Sequence, residues 1–316
     1  MLKPSPSTLS VLVTYHNEGP LLTECLQTLR AGDHQPDELL IYDDASSVPP
    51  QPFIPPGFSC IKIIQGEVNR GPGFGRNVLL QNTTCEYVHF HDADDWFHPH
   101  WCAAMRQRLA QHPDLVVCGI KKVVGGLAVC EDLMEINTLI ERAGDVIKMG
   151  LGGSILTSST VFRRELGLQI GGYLEREKLR QSEDFHFHLL LASRCKSVAL
   201  IKSPLIIRQE RKTSHSTENS GREIWRSALK GLNLLENELL PAYQEPLSEA
   251  YARVGTKLFY RHCREEARRA FRRAKELGVR EFQGRKECFG KIARVFGQEV
   301  AEWMSLGLQT AKKGFS

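Results

Sequence analysis

Apolar residues recur through the first two hundred positions in short blocks, separated by stretches with helical spacing. Leu9 to Tyr15 is a nearly continuous Val- and Leu-rich block and reads as a buried strand. Leu22, Cys25, Leu26 and Leu29 then repeat at helical spacing, predicting a helix over Pro20 to Leu29. Glu38 to Tyr42 and Cys60 to Ile64 read as the next two strands, divided by the proline-rich loop Pro49 to Pro56. Gly73 to Asn82 reads as a second helix, Tyr87 to His91 as a fourth strand, Pro99 to Gln111 as a helix and Leu115 to Ile120 as a strand. The pattern is weak between Gly125 and Gly153, which reads as a mobile or edge-covering segment. Ser159 to Arg163, a helix over Glu183 to Ser193, and a strand over Val198 to Ile207 broken at Pro204 complete this part. From Arg222 onward the pattern is helical.

Strands alternating with helices predict an α/β fold with a mixed, mostly parallel sheet flanked by helices, followed by an α-helical appendage. The polar stretch Lys212 to Gly221 places the boundary, giving domains at 1–218 and 219–316.

Charge sharpens this division. The chain of 316 residues carries a net charge of +4, but the excess lies in the last third: between Arg253 and Arg294 there are 14 basic and 5 acidic residues. That stretch reads first as a solvated helix face, then as a surface for an anionic membrane or a polyanionic acceptor. Without a nucleic-acid-binding motif beside it, no nucleic-acid partner is expected. Nine scattered cysteines with no C-x-x-C pair read as reduced thiols in the core. Met1 to Leu9 has no apolar core of a signal peptide, and no later stretch reaches the roughly 18 apolar residues of a membrane span. A cytoplasmic protein is expected, with peripheral contact at the inner face of a membrane as the extension suggested by the basic segment.

Candidate chemistry sits at the strand ends. Asn17 and Glu18 follow the first strand, Asp43 and Asp44 the second, and Asp92, Asp94 and Asp95 the fourth. In an open α/β sheet, ligands bind outside the carboxyl ends of the strands where strand order reverses, so the three clusters should converge on one crevice. So many like charges call for a cation, and D-x-D oxygen ligands suit Mg²⁺ or Mn²⁺ carrying a phosphate-bearing ligand. The run Gly71-Pro72-Gly73-Phe74-Gly75 lacks both the G-x-G-x-x-G spacing and the Lys of a P-loop, which disfavours a dinucleotide-binding dehydrogenase. Arg76 and Asn77, opening the next helix, are candidates for binding anionic or polar parts of the ligand. His89 and His91 share a strand face and read as packing residues before they read as metal ligands.

These residues carry a family resemblance. Thr14-Tyr15-His16-Asn17-Glu18, Tyr42-Asp43-Asp44, Asn69-Arg70-Gly71 with Arg76-Asn77, Asp92-Ala93-Asp94-Asp95, Gly171-Gly172-Tyr173 and Ser182-Glu183-Asp184 occur in order over about residues 9–216. The set resembles a family 2 glycosyltransferase of the GT-A fold. The resemblance implies an inverting, metal-dependent transfer of a sugar from a nucleotide-sugar, a UDP-sugar by preference, to a glycan, lipid-linked or other hydroxyl acceptor. It implies that Asn17, Glu18 and Asp44 surround the nucleobase and ribose, joined in donor binding by Tyr15, Asn69, Gly71 and Arg76. Asp92 and Asp94 match the D-x-D, with Asp94 on the Mn²⁺ or Mg²⁺ and Asp92 nearer the ribose and metal waters. Asp184 matches the catalytic base. Arg208 and Ser214-His215-Ser216 match the segment after the last strand, with His215 reaching the metal or diphosphate. The chain departs from the family by losing a Pro before Thr14, by carrying His16 in place of an aromatic, and by having Gly75 where Ala is usual.

Two rivals remain at the level of sequence. One is a noncatalytic sugar- or partner-binding module that keeps the fold; intact Asp94 and Asp184 argue against it. The other is a nucleotidyltransferase, which should carry a Lys-containing phosphate loop where this chain has Asn17-Glu18-Gly19-Pro20. In the helical region, Tyr251, Val254, Gly255, Leu258, Ala267, Phe271 and Ala274 resemble one tetratricopeptide repeat. A single repeat cannot bury its own apolar face, so an amphipathic helical pair is the favoured reading.

Overall fold

The computed structural model describes residues 7–58, 61–124, 145–153, 155, 157–179, 181–210, 221–278, 299 and 301–304. The chain divides into two compact units, Met1–Ser214 and His215–Ser316.

The first unit is built on one eight-stranded sheet. Its strands are β1 (Leu9–Tyr15), β2 (Glu38–Asp43), β3 (Ile61–Gln65), β4 (Tyr87–Asp92), β5 (Trp96–Phe97), β6 (Leu115–Val124), β7 (Thr160–Arg163) and β8 (Val198–Glu210). The helices are α1 (Pro20–Arg30), α2 (Pro72–Asn82), α3 (Trp101–Leu109), α4 (Val146–Leu151), α5 (Arg164–Gln169) and α6 (Glu183–Arg194). The strand order is β3-β2-β1-β4-β7-β6-β8-β5. β3, β2, β1 and β4 run parallel, β7 pairs antiparallel with both β4 and β6, and β5 closes the edge antiparallel to β8. The mixed, mostly parallel sheet is therefore as the sequence predicts.

The chain winds outward from β1 to β3 and then returns to place β4 on the other side of β1, so strand order reverses between β1 and β4. Register aligns the polar strand ends there: Tyr15 lies opposite Asp43, and Thr14 opposite Asp92. β1 is buried along almost its whole length, as expected of a central strand with helices on both faces. Phe90, Phe162, Tyr173 and Phe187 form an aromatic cluster under β4, with Tyr173 and Phe187 stacked at a 4.0 Å centroid distance.

Several elements differ from expectation. β8 does not break at Pro204 but continues to Glu210, because Pro204 falls at a bulge opposite Gly119, where the ladder register shifts and no N–H is required. A side chain at 119 would meet the Pro204 backbone at 3.0–3.1 Å, so glycine here lets the two strands approach without either having to shift. Part of the weakly patterned stretch forms α4, whose N-terminus is capped by Asp145 accepting from the Lys148 amide at 2.7 Å; residues 125–144 lie outside the described residues. The two-residue β5 and the short α5 are too brief to show a period. α3 starts at Trp101 rather than Pro99.

The second unit contains α7 (Gly221–Leu239), α8 (Gln244–Phe259) and α9 (Arg264–Glu276). All seven repeat-like positions named above are buried, apolar or glycine, and packed within these helices. Gly255 lets α8 approach Phe271 of α9 closely. Among the described residues, no helix is long and apolar enough to cross a membrane. The described cysteines are all free, and most are buried.

Gly75 has a reason visible only in three dimensions. A methyl group there would lie 2.6 Å from the Tyr42 ring and 3.0 Å from Thr14, so Tyr42 occupies the space an alanine would fill. Gly75→Ala is expected to destabilise the first unit by about 1–3 kcal/mol through overpacking. Gly75→Ala combined with Tyr42→Val should recover most of that loss in a double-mutant cycle measured by urea unfolding.

Candidate functional site

The crevice at the β1–β4 switch is assembled from backbone turns before any charge is placed. After β1, Asn17 adopts a left-handed conformation, φ 64°, and its Oδ1 accepts from the amides of Ser47 at 2.9 Å and Val48 at 3.3 Å. The turn after β1 is thereby tied to the turn after β2. The Tyr15 hydroxyl reinforces this link, donating to the Val48 carbonyl and accepting from the Gly19 amide. Tyr15 is 1% exposed, so it serves the site by holding two loops together. Its ring is packed in the core, beneath the loops that carry the other expected donor-binding residues.

Asp44 extends the frame to a third strand end. Its two carboxylate oxygens accept from the backbone amides of Arg70 at 2.8 Å and Gly71 at 2.7 Å. That arrangement fixes the loop carrying Asn69 and Gly71 and presents Asn69, which is exposed, at its surface. His16 joins the same frame through the Asp44 carbonyl at 2.9 Å.

Arg76 is the electrostatic centre. Its guanidinium, 7% exposed, donates to Asp92 at 2.9 Å and to Glu183 at 3.4 Å, and lies over the Tyr173 ring at 5.1 Å. The end of β4, the start of α2 and the start of α6 are thus joined through one side chain. Arg76 and Asn77, the candidates for anionic or polar parts of a ligand, both hold partners within the protein here. Arg76 is committed to two carboxylates, and Asn77 is committed to the Tyr173 backbone, accepting from its amide at 2.7 Å and donating to its carbonyl at 2.8 Å. Asn77 also explains the Gly171-Gly172 pair. Both glycines have positive φ, and a side chain at 172 would collide with the Asn77 amide.

The carboxylates divide by environment. Burial favours the neutral form of Asp92, but Arg76, helped by His91 and Arg208, outweighs it and holds the group below its ordinary value. Because its side chain remains 42% exposed, the part of Asp92 not held by Arg76 faces the crevice. Glu183 is pushed up to about 7 by burial and by the neighbouring Asp184, against the pull of Arg76. Glu18, whose carboxylate accepts from the His16 amide, is raised by burial and, to a lesser extent, by Asp94. Asp95 is raised well above the carboxylate range by burial, Asp92 and Asp94; it accepts from the Ser158 hydroxyl at 3.3 Å and the Gln209 amide at 3.4 Å. Asp184 is partly exposed and accepts from the Phe185 amide at 2.7 Å at the start of α6.

Glu18, Asp44, Gly71, Arg76, Asp92, Asp94 and Asp184 are therefore drawn to one end of the sheet. His215 lies outside the described residues, as does the rest of Ser214-His215-Ser216. Among the described residues, no three His, Cys, Asp or Glu side chains gather as a metal-holding group. The acidic oxygens at Asp92 and Asp94 suit a hard divalent cation that takes one or two carboxylates and fills its remaining positions from ligand phosphates and water. His89 and His91 are fully buried, 3.1 Å from each other, and bracketed by the carbonyls of Thr160 and Asp95. Burial lowers His91 to about 4, and its ring stacks on Phe97 at 3.7 Å, so both are packing residues. The Glu183 contact with Arg76 had no sequence signal beyond its place beside Asp184.

Residues 10–166 match the family model described as Glycosyl transferase family 2. Among curated proteins, the putative glycosyltransferase EpsH of Bacillus subtilis is 31% identical over 114 residues, covering 35% of this chain and 33% of EpsH. An uncharacterized glycosyltransferase of Haemophilus influenzae is 26% identical over 192 residues, covering 58% of this chain and 61% of that protein. The chain thus spans about a third of the length of the first relative and less than two thirds of the second. Among solved structures, S. aureus TarS 1–349 in complex with UDP-GlcNAc superposes with TM-score 0.66 at 18% identity, covering 97% of this chain and 92% of that one. The mannosyltransferase PcManGT from Pyrobaculum calidifontis, in complex with GDP-Man and Mn²⁺, gives TM-score 0.58 at 15% identity, covering 95% and 88%. At these identities the likeness shows the fold.

The raised Glu183 gives a pH signature. Its carboxyl binds a proton more tightly in the folded protein than its ordinary value of 4.5 allows, so its contribution to stability falls as pH rises from about 4.5 through 7. Glu183→Gln removes this titration. The stability of the variant relative to the parent, followed by thermal unfolding, is expected to improve from pH 5 to about pH 7 and then level off; a pH-independent difference would show that Glu183 titrates normally.

Proposed function

Because this chain belongs to glycosyl transferase family 2 and has the GT-A fold, we propose that it is an inverting glycosyltransferase that moves a sugar from a nucleotide-sugar to a hydroxyl acceptor. The observation that carries the reading is the convergence of three strand ends at the β1–β4 switch, with the D-x-D carboxylates and the Glu183-Asp184 helix start joined through Arg76. Nucleotide-sugar complexes of TarS and PcManGT, which share the fold, support the donor class. A UDP-sugar is the preferred donor.

Asn17, Glu18 and the loop held by Asp44 form the proposed nucleotide end of the crevice. Asp92 and Asp94 are the proposed holders of Mn²⁺ or Mg²⁺, with His215 as a further ligand. Bound there, a divalent cation would offset the charge that develops on the departing diphosphate. Asp94 is suited to this because Glu18 and Asp95 both register its negative charge, so a cation relieves repulsion among several acids at once. Arg76 holds Asp92 ionised and in place.

Asp184 is the proposed general base. The acceptor hydroxyl forms a bond to the anomeric carbon and loses its proton to the Asp184 carboxylate. The bond from that carbon to the diphosphate oxygen breaks, and the nucleoside diphosphate leaves with the electron pair. Attack from the side opposite the leaving group inverts the anomeric centre. A base must be reachable by the acceptor hydroxyl, and Asp184 is partly exposed at the first turn of α6. The adjacent Glu183 is buried against Arg76 and is less available.

Asp184→Asn is expected to lower turnover by at least about 10²-fold, the scale of general-base catalysis, with donor affinity by calorimetry nearly unchanged; retained turnover would exclude it as the base. For Asp94→Ala, the stabilisation that Mn²⁺ adds to nucleotide binding in a thermal-shift series should disappear. An undiminished Mn²⁺ effect would place the cation elsewhere.

A further inference from the structure

The second unit contains a groove of its own, about 350 Å³ in volume, between α7 and α9 with Tyr251 of α8 behind it. Arg226, Lys230 and Asn233 face it from α7 at spacings of four and three residues, and Glu266, Arg269 and Arg273 face it from α9 at spacings of three and four. Both sets are single helix faces, so the two helices turn their basic sides toward the same space.

Ion pairs close the two ends of this groove and leave its middle uncompensated. At one end Arg226 donates to Glu266 at 2.8 Å. At the other, Arg273 grips Glu236 through two bonds at 2.6 and 2.9 Å and also pairs with Glu276. Between them Lys230 and Arg269, both exposed, have no carboxylate partner among the described residues. The polar groups at the centre also point one way chemically. The Tyr251 hydroxyl lies 2.9 Å from Asn233 Oδ1 and 2.8 Å from Glu236 Oε2. The hydroxyl has one proton to share between these two oxygens, and the Asn233 side chain adds a neutral amide to the groove. The groove thus presents an ammonium, guanidinium groups and an amide, with Glu266 as the one carboxylate among its lining residues.

We propose that this groove is a binding site for phosphate esters, distinct from the nucleotide crevice of the first unit and independent of the donor reading. Several donors around one space match an anion whose charge is spread over several oxygens, and arginine forks pair with phosphate oxygens two at a time. A single carboxylate would satisfy one cation and leave the other bare. The volume exceeds what one phosphate needs and falls in the range of small-ligand pockets, leaving room for the esterified group. Leu229 and Tyr251 back the groove from the core side, where both side chains are buried.

The test uses the full chain and two probes with the same chemistry from different sources: glycerol 3-phosphate followed by NMR titration, and phosphatidylglycerol vesicles followed by co-sedimentation against phosphatidylcholine controls. Lys230→Gln with Arg269→Gln should weaken binding of at least one probe by roughly tenfold or more, while the melting temperature and UDP binding stay at parental values. Glu266→Gln should act in the opposite direction and tighten binding, since it removes the carboxylate that occupies Arg226; a merely structural role for the pair predicts no gain. Loss confined to glycerol 3-phosphate identifies a soluble ester, and loss confined to vesicles identifies a lipid headgroup. If the double variant binds both probes as the parent does, or the parent binds neither, the site does not exist. Because UDP binding is read separately, failure here leaves the donor crevice standing, and failure of UDP binding leaves this site standing.

Discussion

A guanidinium withdrawn from water between two carboxylates organises the first unit. Arg76 has 7% of its side chain exposed and meets Asp92 and Glu183, so the ends of a strand and two helices cannot drift apart without stranding a buried charge. Its neighbours depend on it in different ways. Asp92 remains ionised because of it, whereas Glu183, more deeply enclosed and beside Asp184, is only partly compensated. The site therefore holds acids of similar chemistry at different protonation tendencies, separated by burial and by distance from one cation.

The rest of the crevice is ordered by side chains that tie one loop to another. Tyr15, Asp44 and Asn17 each bind backbone amides or carbonyls of a neighbouring loop. Turns that would otherwise be independent become a single rigid rim, and the acidic side chains are carried on it. Preorganisation of this kind lowers the ordering cost when a charged ligand enters.

Much of the fold was legible in the sequence because the long strands and helices obey their periods over five residues or more. Leu9–Tyr15, Tyr87–Asp92 and Glu183–Arg194 are in this class. The acids after the strands were legible for the same reason, since strand ends locate the crevice. What escaped was set by contacts distant in sequence. Pro204 was read as a stop, although Gly119 on another strand makes room for it. The partners that Tyr15 and Arg76 hold inside the protein carry no sequence signal, because residue type reveals polarity but not which group it meets. The reason for Gly75 lies in Tyr42, which occupies the missing methyl's place.

The clamp between Asn77 and the Gly171-Gly172-Tyr173 turn has a consequence for how this domain can change over time. The Asn77 amide fills the volume that any side chain at 172 would need, and at the same time satisfies both backbone groups of Tyr173. Neither position can be exchanged first without a loss: a larger residue at 172 meets the amide, and a smaller residue at 77 abandons a buried amide and carbonyl. The two sites are ninety-five positions apart in the chain yet act as one steric unit, so the effect of a substitution at either depends on the residue at the other.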